Sequence, residues 1–238
     1  MGHKRKVGEF HKLIANVREA LERHGAPAHN GAAGPAASVP TTEAARRVEL
    51  ASRFARELQA LGGHFLGTLT PKETVARVLE VAAALEAKSV AVGAGLLNDP
   101  APIADALERA GIGVIRTAAV ADDAARAELR SKLARCDFAL VEADYAIAAT
   151  GTLAMLATPE RPSSLTLVPP ANVILVSAER ILPDLAAAIA AIGPAAIASH
   201  RLALVTGPSR TADIEKRIVL GVHGPREVHV AVVWHGDD

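Results

Sequence analysis

From residue 64 to residue 142 short apolar runs alternate with helical patterns. Strand-like runs cover 64–69, 89–92, 114–117 and 138–142, and helical segments over 70–87, 102–110 and 122–134 separate them. The signals at the helix starts are local and physical. Thr70 precedes Pro71, an N-cap before a proline at the first helical position, and Asp122 or Asp123 caps the third helix. Strands joined by crossover helices pair in parallel, and a parallel sheet needs helices on both faces. The alternation therefore demands an α/β fold. A further helix, capped by Thr42, precedes the first strand and ends near Leu61.

After residue 142 the rhythm breaks. Apolar runs at 152–155, 165–168 and 173–176 follow one another too closely for helices to fit between them. They are expected as antiparallel or mixed neighbours. A helix over 181–192, a strand over 202–206, a short helix over 211–218 and a last strand over 228–233 complete the reading. Before this domain, apolar residues at Phe10, Leu13, Ile14, Val17 and Leu21 have helical spacing. Residues 25–42 are rich in Ala, Gly and Pro without a period and read as a linker. The expected division is 1–42, helix and linker, and 43–238, one α/β domain.

Charge and cysteine usage narrow the function. Lys plus Arg and Asp plus Glu are 26 each, so no basic excess exists to neutralise a nucleic-acid backbone. The single cysteine, Cys136, makes neither an internal disulfide nor a thiolate cluster site, so no cofactor of that kind is expected in this chain. Cys136 falls between a helix and a strand with no histidine nearby, and reads as inert. The basic N-terminus lacks an uninterrupted apolar stretch, and Ile181–Ala198 contains Pro183, Asp184 and Pro194. A cytoplasmic protein with no membrane contact is expected.

Three stretches concentrate chemistry. In the first, Gly207, Pro208, Ser209, Arg210 and Thr211 lead from a strand into the expected helix, with Asp213 and Glu215 in its first turn. Free N–H groups, hydroxyls and one guanidinium suit a carboxylate or phosphate, whereas the two acids suit the helix dipole and repel an anion. An ordinary capped helix explains the pattern equally well. In the second, Glu142 and Asp144 flank a strand end and lead to Thr150, Gly151 and Thr152, a tight turn whose hydroxyls suit a ligand oxygen. A polar turn between core strands is the commoner use of such residues. In the third, His223 and Gly224 lie in a Gly-Pro loop, where a histidine suits proton transfer. Gly93-Ala94-Gly95 follows a strand but lacks the third small residue and the distal acid of a dinucleotide fingerprint, and reads as a packing turn. The histidines form no HExxH or helical pair, so no metal site is expected.

The segments DYAIAATGTL at 144–153, VPPANVILV at 168–176, LVTGPSRTADIE at 204–215 and VLGVHGPREVHVAVV at 219–233 resemble the lactate utilization protein C family, small LUD-domain proteins. The resemblance runs from about residue 45 to the end. It implies a three-layer α/β/α fold with a mixed, mostly parallel sheet, similar to sugar-phosphate isomerases, CoA transferases and formyltetrahydrofolate cyclo-ligase. It also implies work beside two partner proteins that hold iron–sulfur clusters, in oxidation of L-lactate to pyruvate. Ala149 stands where the family commonly has Glu, which removes one candidate proton carrier or nucleophile. Two functions fit. One is a non-redox subunit that holds a small carboxylate or a partner through Thr150–Thr152, Gly207–Thr211 and His223. The other is a stand-alone isomerase, transferase or ligase acting on a phosphorylated or CoA-linked acid, with Arg210 on the anion and Glu142, Asp144 or His223 moving the proton.

Overall fold

The computed structural model describes residues 42–119, 122–199, 201–212, 218–221 and 224–235. The helix expected over 10–24 and nearly all of the linker lie outside them. The elements run α1 (Glu43–Ala60), β1 (His64–Leu69), α2 (Pro71–Ala84), β2 (Ser89–Val92), α3 (Ala101–Arg109), β3 (Gly113–Arg116), α4 (Asp123–Leu133) and β4 (Phe138–Glu142). Then come β5 (Tyr145–Ile147), β6 (Thr152–Leu156), α5 (Ser164–Leu167), β7 (Ala171–Ser177) and β8 (Ile181–Leu182). The chain closes with α6 (Leu185–Ala198), β9 (Leu202–Val205), β10 (Arg210–Ala212), β11 (Ile218–Leu220) and β12 (Glu227–Val233).

The expected caps are the ones that form. Thr42 Oγ1 accepts from Ala45 N at 3.1 Å, and Asp122 Oδ1 from Ala125 N at 2.8 Å. At the start of α2, Glu73 N donates to Thr70 Oγ1 at 3.3 Å and Thr70 N donates to Glu73 Oε2 at 2.8 Å. This reciprocal pair satisfies two donors that the helix start leaves orphaned.

A six-stranded sheet in the order β1-β12-β7-β4-β2-β3 forms the centre, and every neighbouring pair is parallel. A second, mixed sheet has the order β8-β5-β6-β9. Alternate residues of the central strands point to opposite layers. Val90, Val92, Leu140, Val173 and Leu175 pack with Val78 of α2 and Leu107 of α3. Val141, Ile174, Val228, Val230 and Val232 pack with Phe54 and Leu58 of α1 and with Leu153 of the second sheet. The outer face of that second sheet buries Ile147 and Ala154 against Ala188 and Ile192 of α6. The architecture is α/β/α, with the small sheet set into one helical layer. Among the described residues no helix is long and apolar enough to cross a membrane.

Several elements differ from the sequence reading: the runs at 152–155 and 173–176 are not neighbours but belong to different sheets, as β6 and β7, and β5 is a strand that was not expected. The run at 165–168 is a helical turn, α5, not a strand. A four-residue apolar run carries no period, and here Pro169 and Pro170 end it. The helix expected over 181–192 starts only at Leu185, because Ile181 and Leu182 pair with Ala146 and Ile147. The helix expected from Thr211 is instead a hairpin, with Arg210, Thr211 and Ala212 opposite Leu220, Val219 and Ile218. The anion-binding argument from a helix start therefore falls for Gly207–Thr211. Thr211 sits in a strand, where its backbone polar groups face a partner strand.

Candidate functional site

The amino ends of β7, β12 and β1 gather most of the chemistry-bearing stretches. Here α1 runs directly over the Thr150–Thr152 turn. Gly151 has φ +60°, and a Cβ there would run into the backbone of Glu57 and Leu58. The close approach of helix to turn depends on this glycine. Around it three hydroxyls form a chain: Thr150 Oγ1 lies 2.7 Å from Thr152 Oγ1, which lies 2.8 Å from Thr206 Oγ1. Thr152 is buried while Thr150 and Thr206 are exposed, so both ends of the chain reach the surface.

The Gly207–Arg210 loop closes over the end of α1. Gly207 has φ +87°, and its Cβ position is 3.0 Å from Leu61 O. Arg210 Nη2 donates to the same carbonyl at 2.5 Å. A cation at a helix C-terminus complements the dipole, so Arg210 has a structural use. Ser209 ties this loop to the next: Ser209 N donates to Pro225 O and Gly221 N to Ser209 O, both at 2.9 Å. Gly224 packs against Ser209, with its Cβ position 3.1 Å from Ser209 Cβ. Pro208 is half-buried. The fold thus brings together Thr150, Gly151, Thr152, Gly207, Pro208, Ser209, Arg210 and Gly224. Asp213, Glu215 and His223 lie outside the described residues.

Glu142 and Asp144 belong elsewhere, at the opposite end of the β5–β6 hairpin. Asp144 Oδ1 pairs with Arg161 Nη2 at 2.7 Å, and its Oδ2 accepts from Leu156 N at 2.6 Å. The same guanidinium donates to Glu142 O at 3.0 Å and to Leu156 O at 3.3 Å. Arg161, which the sequence reading did not single out, therefore holds both strand ends. Asp144 is spent on that structure.

Glu142 ends β4 beside the end of β2. There the chain turns outward to β3, then returns on the other side to β4 and β7. Such a reversal opens a crevice at the carboxyl ends of the strands, the usual ligand position in open α/β sheets. Glu142 Oε2 accepts from Leu97 N at 2.6 Å, and Leu97 has φ +48°, a left-handed backbone unusual for leucine. Thr117 Oγ1 donates to Glu160 O at 2.9 Å, which fastens a loop over this end. Beyond that loop lies a groove of about 570 Å³, lined by Arg126, Arg130, Arg201, Thr158, Ser163 and Ser164. Arg126 is paired with Asp123 at 2.7 Å.

Gly93 supports packing: its Cβ position is 3.1 Å from Leu165 Cδ2. Cys136 is buried, and burial pushes its thiol up, away from the reactive thiolate. One further cluster escaped the sequence reading. His64 and His229 stack with centroids 4.6 Å apart, and His229 Nε2 lies 3.0 Å from Glu227 Oε2. Burial pushes His229 below the ordinary imidazole range, and the Glu227 hydrogen bond partly opposes this. The only sequence signal was Glu-x-His at strand spacing; His64 is brought in by the parallel pairing of β1 with β12.

Comparison with known proteins fits this architecture. A DUF162-family protein from Deinococcus radiodurans, solved by crystallography, superposes with a TM-score of 0.58 over 79% of this chain and 98% of its own, at 21% identity. YkgG of Escherichia coli is 34% identical over 112 residues, 45% of this chain and 48% of its own. Lactate utilization protein C of Halalkalibacterium halodurans is 30% identical over 101 residues, 41% and 44% of the two chains. These alignments span about half the length of the curated relatives. The model of the LUD domain matches residues 51–233, a stretch that contains both sheets. By that extent the chain belongs to the LUD-domain family.

Proposed function

We propose that this protein is a non-redox subunit of an L-lactate utilization system, supporting oxidation of L-lactate to pyruvate beside iron–sulfur partner proteins. The observation that carries the reading is the assembly at the amino ends of β7, β12 and β1. Parts of the stretches that carry the resemblance to lactate utilization protein C, the Thr150–Thr152 turn and the Gly207–Arg210 loop, come together there, with the Thr150, Thr152 and Thr206 hydroxyls between them. Hydroxyls on a fixed turn suit the carboxylate and hydroxyl oxygens of a small hydroxy acid. Removing two electrons from lactate needs an acceptor, and a chain with one buried cysteine fits a scheme in which clusters in other chains take them. The cytoplasm, where lactate is oxidised in such a scheme, is the compartment proposed.

The test is deletion and pull-down. A clean deletion strain should fail to grow on L-lactate, and the tagged protein should co-purify with cluster-bearing proteins. Normal growth on lactate would overturn the reading.

A stand-alone isomerase, transferase or ligase remains a second reading, favoured by Glu142 at the strand-order reversal and by the arginine-lined groove near it. A thermal-shift panel separates the two. Stabilisation by sugar phosphates or CoA esters, lost in Arg130→Ala or Arg201→Ala, supports the enzyme. Stabilisation only by hydroxy or keto acids counts against it.

A further inference from the structure

We infer that His64, Glu227 and His229 form a binding site for a divalent first-row metal ion, with zinc the best-fitting occupant. The placement follows from strand geometry. His229 faces His64 in the parallel register of β12 and β1, so the two rings project from the same face of adjacent strands. Glu227 lies two residues before His229 and shares that face. One ligand atom from each residue falls within 4.8 Å of the others. Two imidazoles and one carboxylate are a recurrent set for zinc and for other first-row ions, with remaining positions left to water or to an anionic oxygen.

Zinc–nitrogen and zinc–carboxylate distances of about 2.0–2.2 Å set tetrahedral ligand atoms roughly 3.4 Å apart, so His229 Nε2 and Glu227 Oε2, 3.0 Å apart, already stand close enough, and only the longer separations, within 4.8 Å, must close. The adjustment falls on His64, which is exposed and whose side chain makes no hydrogen bond among the described residues. His229 is already oriented by Glu227, 3.0 Å away, and its ring is mostly covered, with a side-chain exposure of 13%. The site opens to solvent at the edge strand β1, which gives an ion an entry path. It sits immediately after the Gly62-Gly63 turn and the Pro225–Arg226 segment, at the same end of the sheet as the threonine chain. It does not depend on the lactate reading, which a metal titration leaves untouched.

The test uses the full chain, stripped with a chelator and titrated with Zn²⁺ by calorimetry and with Co²⁺ by visible absorption. One equivalent should bind, and the cobalt form should show absorption bands of an imidazole-ligated, low-coordinate ion. His64→Ala, His229→Ala and Glu227→Gln should each weaken Zn²⁺ binding by at least about tenfold, with far-UV circular dichroism unchanged in the exposed His64 variant. Absence of stoichiometric binding overturns the site. So does binding of unchanged affinity in His64→Ala, which would place the ion on histidines elsewhere in the chain.

Discussion

Gly151 and Gly95 share a backbone requirement and differ in surroundings. Both have positive φ, +60° and +76°, where a side chain costs roughly 1–2 kcal/mol. At Gly95 nothing lies within 4 Å of the added Cβ, whereas at Gly151 the Cβ meets the backbone of α1. Gly95→Ala should therefore lose about 1 kcal/mol in urea unfolding, and Gly151→Ala about 3 kcal/mol, because the helix must also shift. Equal losses would show that α1 does not hold the turn as tightly as the geometry states. Asp144 gives a second contrast. Asp144 and Arg161 are 15% and 17% exposed, so removing one partner strands a largely buried charge. Asp144→Ala should cost about 3 kcal/mol. The double variant with Arg161→Ala should cost clearly less than the sum of the single losses, as measured in a double-mutant cycle. Additive losses would instead mean that the two groups stabilise the fold separately.

At the scale of elements, Asp137 joins the starts of β2 and β4. Its Oδ2 accepts from Lys88 N and Ser89 N, each at 2.8 Å, and from Ser89 Oγ at 3.0 Å. Burial opposes its charge, but these hydrogen bonds outweigh it and hold the carboxyl below its ordinary value. The unfolded chain titrates this group near pH 3.9. With the folded value lower, the stabilisation is full above the unfolded value and is lost as pH falls through the folded one. Asp137→Asn should flatten the acid limb of the stability profile below about pH 4. An unchanged limb in urea midpoints would assign it to other carboxylates. The same elements show what a sequence displays. The starts of β2 and β4 were readable, because Val90, Val92, Leu140 and Val141 are buried on both faces and form unbroken apolar runs. The hairpin of β10 and β11 was not. Thr211 and the acids after it mimic a helix start locally, and only the distant Val219 reveals a strand. His64 and His229 stayed invisible as a pair for the same reason, since register is a property of two strands and not of one. Arg161 gave no signal either, because its three acceptors come from β4, from Asp144 two residues beyond it and from β6.

Across the whole molecule, α1 is the part that makes two sheets into one body. Phe54 and Leu58 are fully buried and touch the cluster that includes Val228, Val230 and Val232 of the large sheet and Leu153 and Met155 of the small one. Gly151, Gly207 and Arg210 bind the second half of the molecule to the end of the same helix. The helix therefore carries load from both sheets, in an apolar cluster that Leu133 of α4 and Leu165 of α5 complete. Phe54→Ala should cost about 3–5 kcal/mol, the usual range for emptying a buried aromatic site. Its effect should spread equally, because the sheets share that core and should unfold as one cooperative unit. Native-state hydrogen exchange reads this directly. Amides of β6 and of β12 should lose protection by the same free energy in the variant. If β6 opens first while β12 keeps its protection, the small sheet is an independent unit of stability, and the surface built around Thr152 and Thr206 would open with it while the central sheet stays folded.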